Sequence, residues 1–146
     1  MKAIITAVIL LVFSSLSYAQ NEWVASVHIG SEHLDSEEFN ETNTGFGLTR
    51  NFDAVSVNVG TYVNSVVRVS YYAGVGLTAP AFSWMDMGVE FGAVTGYVEE
   101  NNVPKDAPVF YGRGYTRIDI GNDQRQVEIG YIPFMHVLTL SLRFGL

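Results

Sequence analysis

The chain has 146 residues, no cysteine, 48% hydrophobic residues and only 16% charged ones. That length allows one domain, and the lack of Cys removes disulfide frameworks, thiolate zinc sites and a thiol nucleophile. A net charge of −7 offers no basic surface to release counterions from phosphates, so no nucleic-acid partner is expected. Low charge, 13% aromatics and 14 glycines together suit a chain whose outside faces something other than water.

The first segment reads as an address. Lys2 precedes an apolar run from Ala3 to Phe13, and Ser17-Tyr18-Ala19 offers small residues at a cleavage site. The run is too short to span a bilayer, so residues 1–19 are expected to be a secretory signal peptide and 20–146 the mature domain. Lys105 is then the sole lysine left.

The mature chain alternates with period two, the mark of strands buried on one face. In the first strand Trp23, Ala25, Val27 and Ile29 point one way, and Ser26, His28, Gly30 and Glu32 the other. A polar loop, Asp35 to Asn43, leads to a second strand in which Phe46 and Leu48 oppose Gly45, Gly47 and Thr49, ended by a turn at Asn51–Ala54. The third sets Val55, Val57, Val59, Thr61 and Val63 against Ser56, Asn58, Gly60, Tyr62 and Asn64. The fourth sets Val67, Val69, Tyr71, Ala73, Val75 and Leu77 against Arg68, Ser70, Tyr72, Gly74 and Gly76, with a turn expected at Thr78–Ala81. The fifth sets Met85, Met87, Val89, Phe91 and Ala93 against Asp86, Gly88, Glu90 and Gly92. After the loop Glu99–Pro108, the sixth strand, Val109 to Ile120, has its alternation blurred by Arg113 and Arg117. A turn at Gly121–Asp123 precedes a seventh strand, Gln126 to Tyr131. The last carries Leu138, Leu140, Leu142, Phe144 and Leu146 on one face and Thr139, Ser141 and Arg143 on the other.

Eight strands of about ten residues suit a bilayer-spanning sheet. An even count lets the sheet close, and closure is required because an open edge in lipid leaves backbone groups unpaired. The expected fold is therefore an all-β, eight-stranded antiparallel up-and-down transmembrane β-barrel, with apolar faces to lipid and small polar faces in the lumen. A soluble barrel would alternate in the same way. Its polar face, however, would be solvated and rich in Lys, and these faces are rich in Gly, Ser, Thr, Tyr and Asn. A porin is excluded, because side chains fill the interior of so small a barrel.

Short motifs give little. His28, His33 and His136 form no HExxH pattern or close carboxylate cluster, and no GxGxxG, P-loop or GxSxG elbow occurs, so no metal or cofactor is expected. Topology gives more. His28 has inward parity in the outer half of the first strand, and Asn64-Ser65 sit at the outer turn between strands three and four. Arg68 and Ser70 follow with inward parity. A histidine, a serine and hydrogen-bonding partners at one mouth are an inventory for acyl transfer. The same residues also suit a packed polar interior and an ordinary turn, with Arg68 neutralising Glu90 or Asp86. His33 carries the parity of the lipid-facing residues.

At these residues the chain resembles the lipid A palmitoyltransferase family of the Gram-negative outer membrane. Phe39-Asn40-Glu41 and Gly45-Phe46-Gly47-Leu48-Thr49-Arg50 resemble its YNE…GFGLSR stretch. Asn64-Ser65 and Ala73-Gly74-Val75-Gly76 resemble DS…AGYG, and Tyr131-Ile132-Pro133 and Arg143-Phe144 resemble YIP and the final RF. The resemblance implies an outer-membrane barrel, expected as a monomer, that moves an acyl chain from a phospholipid donor to a lipid A acceptor. It implies His28 as base, with His33 as fallback, and Ser65 as nucleophile or hydroxyl donor. On this reading Asn64 would orient His28, and Arg68, Ser70 and His33 would bind substrate or stabilise negative charge. Asn64 stands where the family has a catalytic aspartate, so Asn64→Asp is expected to keep or raise activity. The prolines flanking the family's lateral gateway between strands six and seven correspond to Pro104 or Pro108 and Pro133. Two other readings stand beside this one: an envelope barrel of the same fold without catalysis, and a phospholipid acyl hydrolase.

Overall fold

The computed structural model describes residues 22–34, 39–97, 107–121 and 124–146. The expected signal peptide, Pro104 and parts of both long loops lie outside them. The described residues form eight strands: β1 (Trp23–His33), β2 (Gly45–Phe52), β3 (Val55–Val63), β4 (Val69–Phe82), β5 (Met85–Val94), β6 (Val109–Asp119), β7 (Arg125–Ile132) and β8 (Val137–Gly145). Each pairs antiparallel with its sequence neighbours, and β1 pairs with β8 to close the barrel. The expected all-β up-and-down barrel is what the chain forms.

One end holds the turns β2–β3, β4–β5 and β6–β7 with both ends of the described chain. The other, the loop end, holds the connections β1–β2, β3–β4, β5–β6 and β7–β8. The outer face is apolar: Phe46, Val57, Val59, Tyr71, Val75, Phe91 and Leu140 are all exposed. Aromatics gather at both rims. Trp23, Phe52, Phe82 and Trp84 lie towards the terminal end, where Phe82 and Trp84 stack with centroids 5.6 Å apart, and Phe110 and Phe134 stand at the loop end. Such girdles mark the two interfaces of a membrane barrel.

The interior is the reverse of a soluble core. Its buried residues are mostly polar: Ser26, Thr49, Ser56, Asn58, Ser70, Thr78 and Ser141, with the charged Asp86, Glu90, Arg117, Glu128 and Arg143. The charges are paired. Glu90 accepts from Asn58 Nδ2 (2.8 Å), Tyr111 Oη (2.6 Å) and Arg113 Nη2 (3.0 Å). Glu128 accepts from Arg113 Nη2 (2.9 Å), Arg117 Nε (2.8 Å) and Arg143 Nη1 (3.0 Å). A buried charge is tolerated only with this degree of compensation. The blurred alternation of β6 has its explanation here. Its inward face carries the large residues Tyr111, Arg113, Tyr115 and Arg117, while its outward face includes Gly112, Gly114 and Thr116.

Glycines let tyrosines lie across the lumen. A Cβ at Gly47 would collide with the Tyr72 hydroxyl and lie 2.5 Å from Ser26 Oγ; at Gly60 it would lie 2.5 Å from Tyr72 Cε1. Gly47→Val is therefore expected to expel Tyr72 from its seat. Forced overpacking typically costs about 1–3 kcal/mol, which a lowered denaturant midpoint in lipid vesicles would report.

Three local expectations are corrected. The chain does not turn at Thr78–Ala81: β4 runs on to Phe82, with an irregularity between Pro80 and Phe82, and the turn is at Ser83-Trp84. Pro80 is tolerated because the β3–β4 ladder stops at Val55↔Leu77. Thr78 N–H reaches Ala54 O on that side, and two residues later no ladder partner remains for the N–H that proline lacks. Secondly, β1 carries a bulge: against β8 the register steps from His28↔Ser141 to Gly30↔Leu140. Ser26 and His28 face inward before it, Ser31 and His33 after it, so His33 belongs to the lumen and not to the lipid face. Thirdly, Arg68 does not face inward. It is exposed in the β3–β4 turn, beside Val67, whose φ is 59°.

Candidate functional site at the loop end of the barrel

A cavity of about 360 Å³ occupies the loop end of the lumen. Its floor is Tyr72, Tyr111 and the Glu90–Arg113 pair, and its walls include His28, His33, Ser65, Val94, Ile132 and Met135. Polar and apolar linings meet in it, as in pockets for amphiphilic ligands.

His28 stands at the cavity floor, where inward parity before the bulge places it. Both ring nitrogens are engaged: Nδ1 lies 2.9 Å from Ser141 Oγ, and Nε2 lies 2.8 Å from Tyr72 Oη. Edge contacts with Tyr62 and Tyr72 fix the ring plane. The serine within reach of this histidine is thus Ser141, 2% exposed on β8. Ser65 lines the same cavity without a hydrogen bond to His28 among those the structure contains.

Asn64 does not orient His28. Fully buried, it organises its own turn. Its Oδ1 accepts from Val66 N (3.0 Å) and Arg68 N (2.9 Å), and its Nδ2 donates to Ser70 Oγ (3.0 Å) and Gly96 O (3.0 Å). The amide supplies both acceptors and donors, which a carboxylate cannot. Asn64→Asp would set a carboxylate oxygen against the Gly96 carbonyl. It is expected to lower stability by about 1–3 kcal/mol through a shifted unfolding transition. Ser70 is buried as a partner of this turn, and Arg68, exposed, does not line the cavity.

Beside the cavity the wall loses its strand pairing among the described residues. β6 pairs with β5 from Val94↔Val109 to Met85↔Ile118, but with β7 only from Gly114↔Tyr131 onward. Among the described residues, the stretch Val109–Arg113 has no ladder partner on the β7 side. Pro108 precedes this free edge, and Pro133 ends the strand that would have paired with it. A residue without an N–H cannot extend a ladder, which accounts for the gap's bounds. Tyr111 and Arg113 on one side of the gap and Ile132 and Met135 on the other all line the cavity.

No protein family matches the chain, and neither does any curated protein. It is similar in structure to a de novo designed transmembrane β-barrel. The TM-score is 0.62 at 9% identity, over 88% of this chain and 98% of that one. That likeness concerns the fold. Tyr72 and Ser141, the partners of His28, were readable as inward residues from the alternation of their strands. Ser31 and Asn43, which also line the cavity, were not, because the bulge and a non-strand segment place them.

Proposed function

We propose that the protein is an outer-membrane barrel that receives a lipid acyl chain through the β6–β7 opening and transfers it from a phospholipid to lipid A. The observation that carries this reading is the coincidence of the opening with the cavity: both edges of the gap line the space that holds His28 and Ser65. A lipid can reach such a site from the membrane without passing the loops. The apolar outer face and its aromatic rims support the membrane placement.

In transfer, His28 accepts a proton from the attacking hydroxyl and returns it to the departing glycerol oxygen, with Ser65 as nucleophile or hydroxyl donor. His28 must first exchange its bond to Ser141 or Tyr72 for one to the substrate, so the occupied ring nitrogens favour a second reading, a lipid-binding barrel without catalysis. Water as acceptor would make the protein a phospholipid hydrolase.

The test is expression in a Gram-negative host lacking its own palmitoyltransferase, followed by mass spectrometry of lipid A and phospholipids. Lipid A heavier by one acyl group supports transfer. Lysophospholipid and free fatty acid with unchanged lipid A support hydrolysis. Neither, with the barrel folded in the outer membrane, leaves binding alone.

A further inference from the structure

Three buried polar atoms on one wall of the cavity have no partner within the described protein: Ser31 Oγ, His33 Nδ1 and Asn43 Oδ1. They come together through the bulge in β1, which turns Ser31 and His33 inward, and through the segment before β2, which supplies Asn43. One hydrogen bond holds that segment against the bulge, Ser31 N–H donating to Glu41 O at 2.9 Å, and Gly30 permits the approach, since a Cβ there would lie 2.7 Å from the same oxygen. The His33 ring is seated against Phe39, centroids 4.7 Å apart. Asn43 is only 8% exposed. Buried polar groups are normally satisfied, and other exceptions occur elsewhere in the barrel, but these three stand together beside a cavity, where a ligand could satisfy them.

We infer that Ser31, His33 and Asn43 form a binding subsite for the uncharged head of an acyl ester, a carbonyl with neighbouring hydroxyls. The chemistry of the three groups selects this class. They offer a hydroxyl, an imidazole nitrogen and an amide oxygen, but no fixed positive charge. The charge of the cation lining the cavity, Arg113, is neutralised by Glu90 and Glu128, both bound through Nη2, although its Nε has no partner. A phosphate would find no free counter-charge here, whereas a hydroxyl can donate to Asn43 and an ester carbonyl can accept from Ser31. An apolar neighbour of the subsite, Val137, paired with His33 across the β1–β8 ladder, suits the start of the acyl chain. The inference rests on the cavity being a lipid site, and it holds whether or not a bond is broken there.

The experiment measures binding to the full folded chain in amphipol by native mass spectrometry, with four twelve-carbon probes. These are 1-monolauroylglycerol, a lauroyl glucose ester, lauroyl lysophosphatidylcholine and dodecane. The two uncharged esters are expected to bind more tightly than the lysophospholipid, and the tighter of them identifies a glycerol or a sugar as the source. Ser31→Ala and Asn43→Ala should each weaken ester binding by about tenfold, the scale of one hydrogen bond, and leave dodecane binding unchanged. Heat-dependent gel migration confirms that each variant is folded, and His33→Phe, which keeps the ring against Phe39, serves if Asn43→Ala is not. Wild-type ester affinity in the folded variants, or preference for the lysophospholipid, overturns the subsite alone. Failure of all four probes to bind overturns the lipid cavity as well.

Discussion

Replacing Glu128 by alanine is expected to destabilise the folded barrel by roughly 3–5 kcal/mol, the usual cost of removing one partner from a buried ion pair. The carboxylate is 2% exposed and binds Arg113, Arg117 and Arg143 at 2.8–3.0 Å. Without it three buried guanidiniums face Glu90 and Asp86 alone. Glu128→Gln should cost less, since an amide oxygen still accepts one hydrogen bond. The double variant Glu128→Ala/Arg143→Met should recover part of the loss, because it removes a cation together with its counter-ion. Urea unfolding in lipid vesicles checks all three, and a Glu128→Ala midpoint equal to the wild type would break the account of the interior.

The second large effect concerns chemistry. If acyl transfer occurs, His28→Ala should lower the initial rate of lipid A acylation by about 10²–10⁴, the range for losing a general base. Ser141→Ala provides the contrast. It frees Nδ1 of His28 without removing the imidazole, so the rate should persist or rise if that bond only parks the ring in the unliganded state. A fall comparable to that of His28→Ala would instead make Ser141 part of the reacting pair. Rates measured with the purified protein, defined phospholipid and lipid A distinguish the two.

Strict alternation made much of the fold legible. Strands β2, β3, β5 and β8 keep mostly apolar residues on the outer face and mostly small or polar ones on the inner face, and closure followed from the need to pair every backbone group in lipid. Alternation failed where the chain departs from period two. The bulge after His28 inverted the parity of His33, and nothing in His28-Ile29-Gly30-Ser31 announces an extra residue. Pro80 suggested a turn because its neighbours in the barrel cannot be seen from the chain. Arg68 was placed by continuing β4 backwards through a residue, Val67, that adopts positive φ and ends the strand. The site was legible as a neighbourhood and not as a set of contacts. His28 and Ser65 do share a cavity, but which hydroxyl touches the imidazole depends on the β1–β8 register, a relation between residues more than a hundred positions apart.

The distribution of charge along the chain bears on the order of assembly. Asp86 and Glu90 lie on β5, Arg113 and Arg117 on β6, Glu128 on β7 and Arg143 on β8. The buried ions that must neutralise one another therefore all belong to the second half of the chain, on strands that are consecutive hairpins. Among the described residues, the inward positions of β1 to β4 carry serines, asparagines, threonines, glycines, tyrosines, Val24 and the half-buried histidines His28 and His33, and no buried Asp, Glu or Arg. The C-terminal meander can thus become electrically balanced through short-range pairing alone, before the slow closure between β1 and β8. The N-terminal strands then wrap a unit that no longer carries net charge into the membrane. A chain that begins to insert from its C-terminal half would meet a lower barrier than one that begins from its N-terminal half.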